Sequence, residues 1–195
     1  RVVTVVFLDN AYQALAIDEK RKPFAPAVWK QHPQVVGQVL EQIWFAGVHS
    51  NVGGGYSATG LSDLALLWMV NKAEACGLAF DRARLNAMVQ PDALGQMEDS
   101  QRWFYKILAG DYIRPMGKEP NESAASSVVT RQKNPLSKYD PKNLREYLVG
   151  EAMHAMGIES PDAERKMVII GALALYLDFV NLFIQLLRIF GKRRD

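Results

Sequence analysis

A single cysteine, Cys76, among 195 residues excludes an internal disulfide. With no paired CxxC and no HExxH, the scattered histidines His32, His49 and His154 do not suggest a zinc site. Neither GxxxxGK[ST] nor GxGxxG occurs, so phosphate cradles of those kinds are excluded. The nucleophile elbow G-x-S-x-G is absent as well. Its nearest approach, Gly55-Tyr56-Ser57-Ala58-Thr59-Gly60, has one residue too many and follows no strand directly, so Ser57 is not read as a nucleophile. Charge of one sign is also scarce. A net charge of +2, with no basic run interleaved with aromatics, argues against a nucleic-acid partner. No metal or cofactor is expected.

What is present is the balance of an ordinary folded protein, 49% apolar and 23% charged. The length suits one domain with an appendage, divided here as 1–160 and 161–195. Arg1 is not an initiator methionine, and the apolar run Val2 to Leu8 is too short and wrongly flanked for a secretory signal. That run is expected to be the end of something whose beginning is missing.

The most informative stretch is Ile43-Trp44-Phe45-Ala46-Gly47-Val48-His49-Ser50-Asn51-Val52-Gly53-Gly54-Gly55-Tyr56. An apolar run that ends in a histidine and a glycine-rich loop reads as a buried strand over 43–48 delivering His49 at its C-terminal end. In open α/β sheets that end gathers ligands and catalytic side chains. Two roles stay open for Gly53, Gly54 and Gly55: a nest of N–H groups for an anion, or a sharp turn beside a neighbour.

Around it the chain reads as mostly helical. Asn10 to Arg21 is expected to be a short helix whose acidic pair Asp18-Glu19 has the groups for acid/base chemistry but reads first as a salt-bridged or solvated helix end. Pro23, Pro26 and Pro33 break the next stretch into a loop carrying Phe24 and Trp29. Ser62 as N-cap and Gly77 at the left-handed C′ position, with Leu78 folding back, bracket a helix that holds Cys76 as a small core residue. Asp81 to Val89 and Ser100 to Leu108 are further helices. Lys118 to Ser123 reads as an exposed loop, Ser126 to Arg131 as a short strand or turn, and Pro141 as the first residue of a helix running to about Met156, with His154 against its dipole.

From Met167 to Phe190 the chain is almost wholly apolar. Asp178, Asn181, Gln185 and Arg188 interrupt it at i, i+3, i+7 and i+10, one stripe of a helix. At 1.5 Å per residue, about 24 residues would cross a bilayer's hydrocarbon core. A central Asp costs roughly 2.5–3.5 kcal/mol against about 0.3–0.6 returned by each Leu, Ile or Phe. Three placements remain open: an interfacial helix, a membrane helix pairing through its stripe, and a helix packed on protein. The basic flanks Arg165-Lys166 and Lys192-Arg193-Arg194 suit anionic headgroups, so membrane contact through 167–190 is expected.

Three blocks carry a family resemblance: Asn10 to Arg21 with Phe24-Ala25-Pro26 and Trp29; Trp44 to Tyr56 with Leu61-Ser62-Asp63 and Trp68-Met69; and Tyr139 to Leu144. Over roughly 10–145 the chain resembles the C-terminal part of an uncharacterised α/β-hydrolase domain family that includes phospholipase effectors of bacterial type VI secretion. The resemblance implies an α/β-hydrolase fold, and the chain's own pattern makes it helix-rich with few strands and a long C-terminal hydrophobic helix. It implies a serine ester hydrolase in which His49 is the triad histidine, with Ser50, Asn51, Gly53, Gly54 and Gly55 binding or shaping the loop. The family's serine elbow and triad Asp have no counterpart here, so the chain alone is expected to be inactive on a lipid or ester substrate. Asn51 stands where the family usually has Asp, and Gln13 where a His is frequent. The alternative is a non-catalytic, membrane-associated or partner-binding module.

Overall fold

The computed structural model describes residues 9–99 and 111–155. The chain divides into two compact units, Arg1–Arg145 and Glu146–Asp195. The first holds a three-stranded parallel sheet in the order β1-β2-β3, with β1 Asn10–Ala16, β2 Val39–Phe45 and β3 Glu122–Ala124. Asn10 pairs with Val39 and Ala16 with Phe45, while Trp44 pairs with Ala124. Helices follow as α1 His49–Gly53, α2 Gly60–Ala75, α3 Arg82–Met88, α4 Ser126–Lys133 and α5 Lys142–Ala155, the last running across the boundary between the units.

β1 is where local propensity and tertiary structure part company. Asn10 to Ala16 is rich in Ala and Leu and was expected to open a helix, yet it is a strand. So short a helix is marginal in water, whereas the parallel ladder to β2 pairs the backbone groups that face it and carries Leu15 and Ala16 into the core. Ala14 and Ala16 face α1 and α2 in a cluster with Ile43, Phe45, Val52, Ala65 and Trp68. On β2's other face the fully buried Trp44 donates its indole N–H to Glu122 Oε2 at 2.7 Å. Glu122 also accepts the N–H groups of Gly117, Lys118 and Glu119. The stretch expected as an exposed loop is an exposed turn over Lys118 to Asn121, as read, but its Glu122 is buried and opens β3.

Other boundaries shift for identifiable reasons. The strand expected at 43–48 occupies Val39–Phe45, because Gly47 at φ +109° bends the chain immediately afterwards. Ser126 to Lys133 is a helix, α4, where a short strand or turn was expected. α2 begins at Gly60, with Thr59 at the cap position and Ser62 inside the helix donating to the Thr59 carbonyl. Its end is as expected. Gly77 is at φ +95°, and the N–H groups of Leu78 and Gly77 reach the carbonyls of Ala73 and Glu74, the paired bonds of a Schellman motif. Cys76 is exposed, not in the core. Asp81 caps α3 through the Arg84 N–H, and His154 lies in the last turn of α5.

The expected fold class needs correction. The described residues form a helix-rich chain with a small open sheet, and no helix among them is long and apolar enough to cross a membrane. The 16-residue α2 reaches only about 24 Å at 1.5 Å per residue, against about 30 Å of hydrocarbon, and carries Asp63, Lys72 and Glu74. The helix expected over Ser100 to Leu108, the run Val2 to Leu8 and the apolar segment 167–190 lie outside the described residues.

Candidate functional site

The parallel strands β1 and β2 end side by side, and the chain leaves both ends through polar turns. Ile17 and Asp18 continue the pairing, donating their N–H groups to the carbonyls of Phe45 and Gly47. Asp18 Oδ2 accepts the Gly47 N–H at 2.6 Å and the Tyr139 hydroxyl at 2.7 Å. Glu19, with no exposed surface, forms a two-pronged ion pair with Arg21 and accepts the His49 N–H at 3.3 Å. The two carboxylates thus clamp the turn that carries His49 onto the end of β1. A salt-bridged pair was among the expected readings of Asp18 and Glu19, but at the end of a helix. They sit after a strand.

Burial pushes the Asp18 carboxyl above the ordinary carboxylate value, against the hydrogen bonds from Gly47 and Tyr139 that favour its ionised form. Burial, with Asp18 beside it, raises the Tyr139 hydroxyl in turn.

His49 is the first residue of α1, three positions beyond the last turn-forming alanine of the β2 exit, and it is exposed. Its ring lies 5.4 Å from that of Phe24, centroid to centroid, and Phe24 also carries the Arg21 guanidinium on its face. Asn51 is buried behind it and reaches back, its Oδ1 accepting the N–H groups of Val48 and Glu98. Its Nδ2 has no partner among the described residues. Gly47 must be glycine. Beyond its positive φ, a Cβ there would lie 2.5 Å from Asn51 Cβ. Gly54 and Gly55 also have positive φ, which lets the chain turn out of α1, and Ser50 stands beside Gly55.

A cleft of about 580 Å³ opens beside this turn. His49, Gly53 and Gly54 stand on its rim, Asp63 and Arg114 on its polar side, and Leu66 among its apolar walls. Asp63 is fixed by the Thr59 hydroxyl and the Gln90 N–H. The buried Arg114 donates to the carbonyls of Ala16 and Phe24, its Nε has no partner among the described residues, and burial lowers its pKa. Of the residues singled out from sequence, His49, Gly53 and Gly54 line this cleft and Gly55 does not, while Arg114, Gln13 and Asp63 were missed as lining residues. Arg114 stands alone between Ile113 and Pro115, with no spacing signal to mark it. Among the described residues no group of histidines, cysteines and carboxylates could hold a metal ion.

A family model described as "T6SS, Phospholipase effector Tle1-like, catalytic domain" matches residues 5–72. Part of the chain is thus similar to a phospholipase-related family, but the extent expected from sequence is corrected. The match is N-terminal in this chain and does not take in the Tyr139–Leu144 block, so the description as the C-terminal part of that domain over 10–145 does not hold. Curated relatives point elsewhere. The chain is 49% identical over 61 residues to "Inner membrane protein YbhL" of Escherichia coli K12, a match covering 30% of this chain and 23% of that protein. An "Uncharacterized protein" of Borreliella burgdorferi is 37% identical over 60 residues, covering 31% and 23%. The chain therefore spans about a quarter of the length of these relatives. No solved structure matches it.

Proposed function

We propose that this chain acts as a non-catalytic, membrane-associated module that binds a partner at the cleft beside His49. The observation that carries the reading is the isolation of the His49 side chain among the described residues. A general base needs an orienting partner and a nucleophile within hydrogen-bond reach. Among the described residues the imidazole has the Phe24 ring beside it and no hydrogen-bonded carboxylate or hydroxyl. Asp18 and Glu19, the carboxylates at the end of β1, are occupied with Gly47, Tyr139, Arg21 and the His49 backbone N–H. Membrane association is supported by the relative named an inner membrane protein and by the apolar, basically flanked segment 167–190.

A second reading is favoured by the position of His49 after a parallel strand, at the rim of a cleft, within the matched span 5–72. In it the chain supplies the histidine of a phospholipase-like serine ester hydrolase whose serine and Asp come from elsewhere. His49 would then take the serine's proton and return it to the leaving alcohol. His49 and the loop residues Ser50, Asn51, Gly53, Gly54 and Gly55 would form one wall of that site.

Short-chain p-nitrophenyl esters and flotation with phosphatidylglycerol vesicles test the two together. The purified chain is expected to float with vesicles and to turn over no ester. Turnover abolished by His49→Ala would overturn the non-catalytic reading, and a chain that stays at the bottom of the gradient would overturn membrane association.

A further inference from the structure

Both the backbone and the ring of His49 are held by one short segment, Glu19 to Phe24. Glu19 Oε2 accepts the His49 N–H at 3.3 Å, and the Phe24 ring lies 5.4 Å from the imidazole at an interplanar angle of 57°. An exposed imidazole with no neighbour samples all of its staggered rotamers. Here the Phe24 ring covers one side of it, so the orientation His49 keeps depends on where Phe24 is held.

Phe24 is itself 41% exposed, and what fixes its ring is Arg21. Lys22–Phe24 is a 3-10 turn with Pro23 in its first positions, closed by the Phe24 N–H on the Arg21 carbonyl at 3.0 Å. Side chains three apart in such a turn stand one above the other, which brings the Arg21 guanidinium to 3.9 Å from the centre of the Phe24 ring. Glu19 holds the guanidinium there. Its two oxygens take Arg21 Nε at 2.9 Å and Nη2 at 2.8 Å, a two-pronged grip on a planar group, and Glu19 has no exposed surface. From this closed circuit we infer that Arg21 is a positioning residue for the His49 imidazole, acting through the Phe24 ring, so that the histidine at the rim of the cleft is oriented before anything meets it.

Charge beside Glu19 and orientation of the ring are separate requirements, and arginine meets both. A lysine at position 21 would keep a cation near the buried carboxylate, but its ammonium grips one oxygen and has no planar face to lay on Phe24. The two roles therefore come apart by substitution. The orientation of His49 serves a partner-binding rim and a catalytic histidine alike, so the inference goes beyond both readings of the site and depends on neither.

Acylation of the full chain by diethyl pyrocarbonate, followed at each histidine by mass spectrometry, tests it. Rates are taken on the plateau of the pH profile, where they report access to the ring and not its protonation. Arg21→Lys and Phe24→Leu should each raise the rate at His49 about two- to fivefold, the factor equivalent to one exposed cation–π contact. Arg21→Lys added to Phe24→Leu should raise it no further, because the ring through which Arg21 acts has gone. His32 and His154 should keep their wild-type rates in all three variants, with circular dichroism checking the fold. An Arg21 that only braces the turn through Glu19 would keep its full effect in the Phe24→Leu background, and that additivity would overturn the inference. So would an unchanged His49 rate in either single variant, or a rise shared by His32 and His154. Should Arg21→Lys fail to fold, Phe24→Leu at its exposed position still decides, since an unchanged rate there removes the ring from the circuit. Ester turnover and vesicle flotation judge the two functional readings independently of all these outcomes.

Discussion

Asp18 offers the sharpest test of how the His49 turn is held. Its Oδ2 alone accepts both the Gly47 N–H and the Tyr139 hydroxyl, at 2.6 and 2.7 Å. Asp18→Ala removes two charge-assisted bonds of about 1.5–3 kcal/mol each and strands a buried N–H and a buried hydroxyl. Relief from desolvating the carboxylate offsets part of this, leaving a loss of about 3–4 kcal/mol, a large share of a typical domain stability of about 5–15. Asp18→Asn is different. A single amide oxygen at the Oδ2 position keeps both bonds, so the loss at neutral pH should be about 1 kcal/mol or less. The pH dependence separates the causes. Burial raises the native pKa of Asp18 above its ordinary value of 3.8, so the native state holds that proton more tightly than the unfolded chain. Its stabilising contribution is fully present below the ordinary value and is lost as pH rises through the raised one. Urea unfolding of wild type and Asp18→Asn from pH 3 to 8 should therefore show wild type losing ground to the variant as pH increases. A wild type that gains on the variant over that range would mean a depressed native pKa, and the burial argument would be wrong.

Three further outcomes follow from the same geometry. Glu122→Gln turns one of two fully used oxygens into a donor facing N–H groups, and should cost about 3–5 kcal/mol, read as a fall in the urea midpoint at unchanged slope. An unchanged midpoint would refute the clamp assigned to it. Gly47→Ala combines a positive φ with a 2.5 Å approach to Asn51 Cβ and should destabilise by about 2–4 kcal/mol. Proteolysis near His49 should report local opening, and a variant as stable as wild type would show that the turn can relax. Tyr139→Phe should flatten the alkaline limb of the stability profile, because the raised Tyr139 contributes stability present below its ordinary value of 10.0 and lost as pH rises through the higher folded one. An alkaline limb as steep as wild type's would assign it to another group.

The match to a phospholipase-related family spans residues 5–72 and the match to an inner membrane protein covers 30% of this chain, so neither covers half of it. The geometry helps to weigh them. His49 stands after a parallel strand at the rim of the cleft, and among the described residues its ring has the Phe24 ring beside it and no hydrogen-bonded carboxylate or hydroxyl.

The sequence alone located the central turn, because a β-branched and aromatic run ending in Gly-Val-His and three glycines is a local signal. It also placed α2 and its Schellman end, since Gly77 and Leu78 are neighbours whose bonds reach back only one turn. Asp81 as a cap and the helix after Pro141 were legible for the same reason. Tertiary structure decided everything that depends on partners distant in the chain. Asn10 to Ala16 reads as a helix from its alanines and becomes a strand because β2, 29 residues on, offers a complete ladder. Glu122 reads as a solvated loop residue and is buried because Trp44, 78 positions away, needs an acceptor. Asp18 and Tyr139, 121 positions apart, meet under the His49 turn. Arg114 reaches the Ala16 carbonyl across 98 positions, beside the cleft. Periodicity and capping are properties of neighbouring residues, so they are written locally. Long-range hydrogen bonds and the cleft they frame exist only once the chain has folded, when burial sets the cost of leaving any one of those groups unpaired.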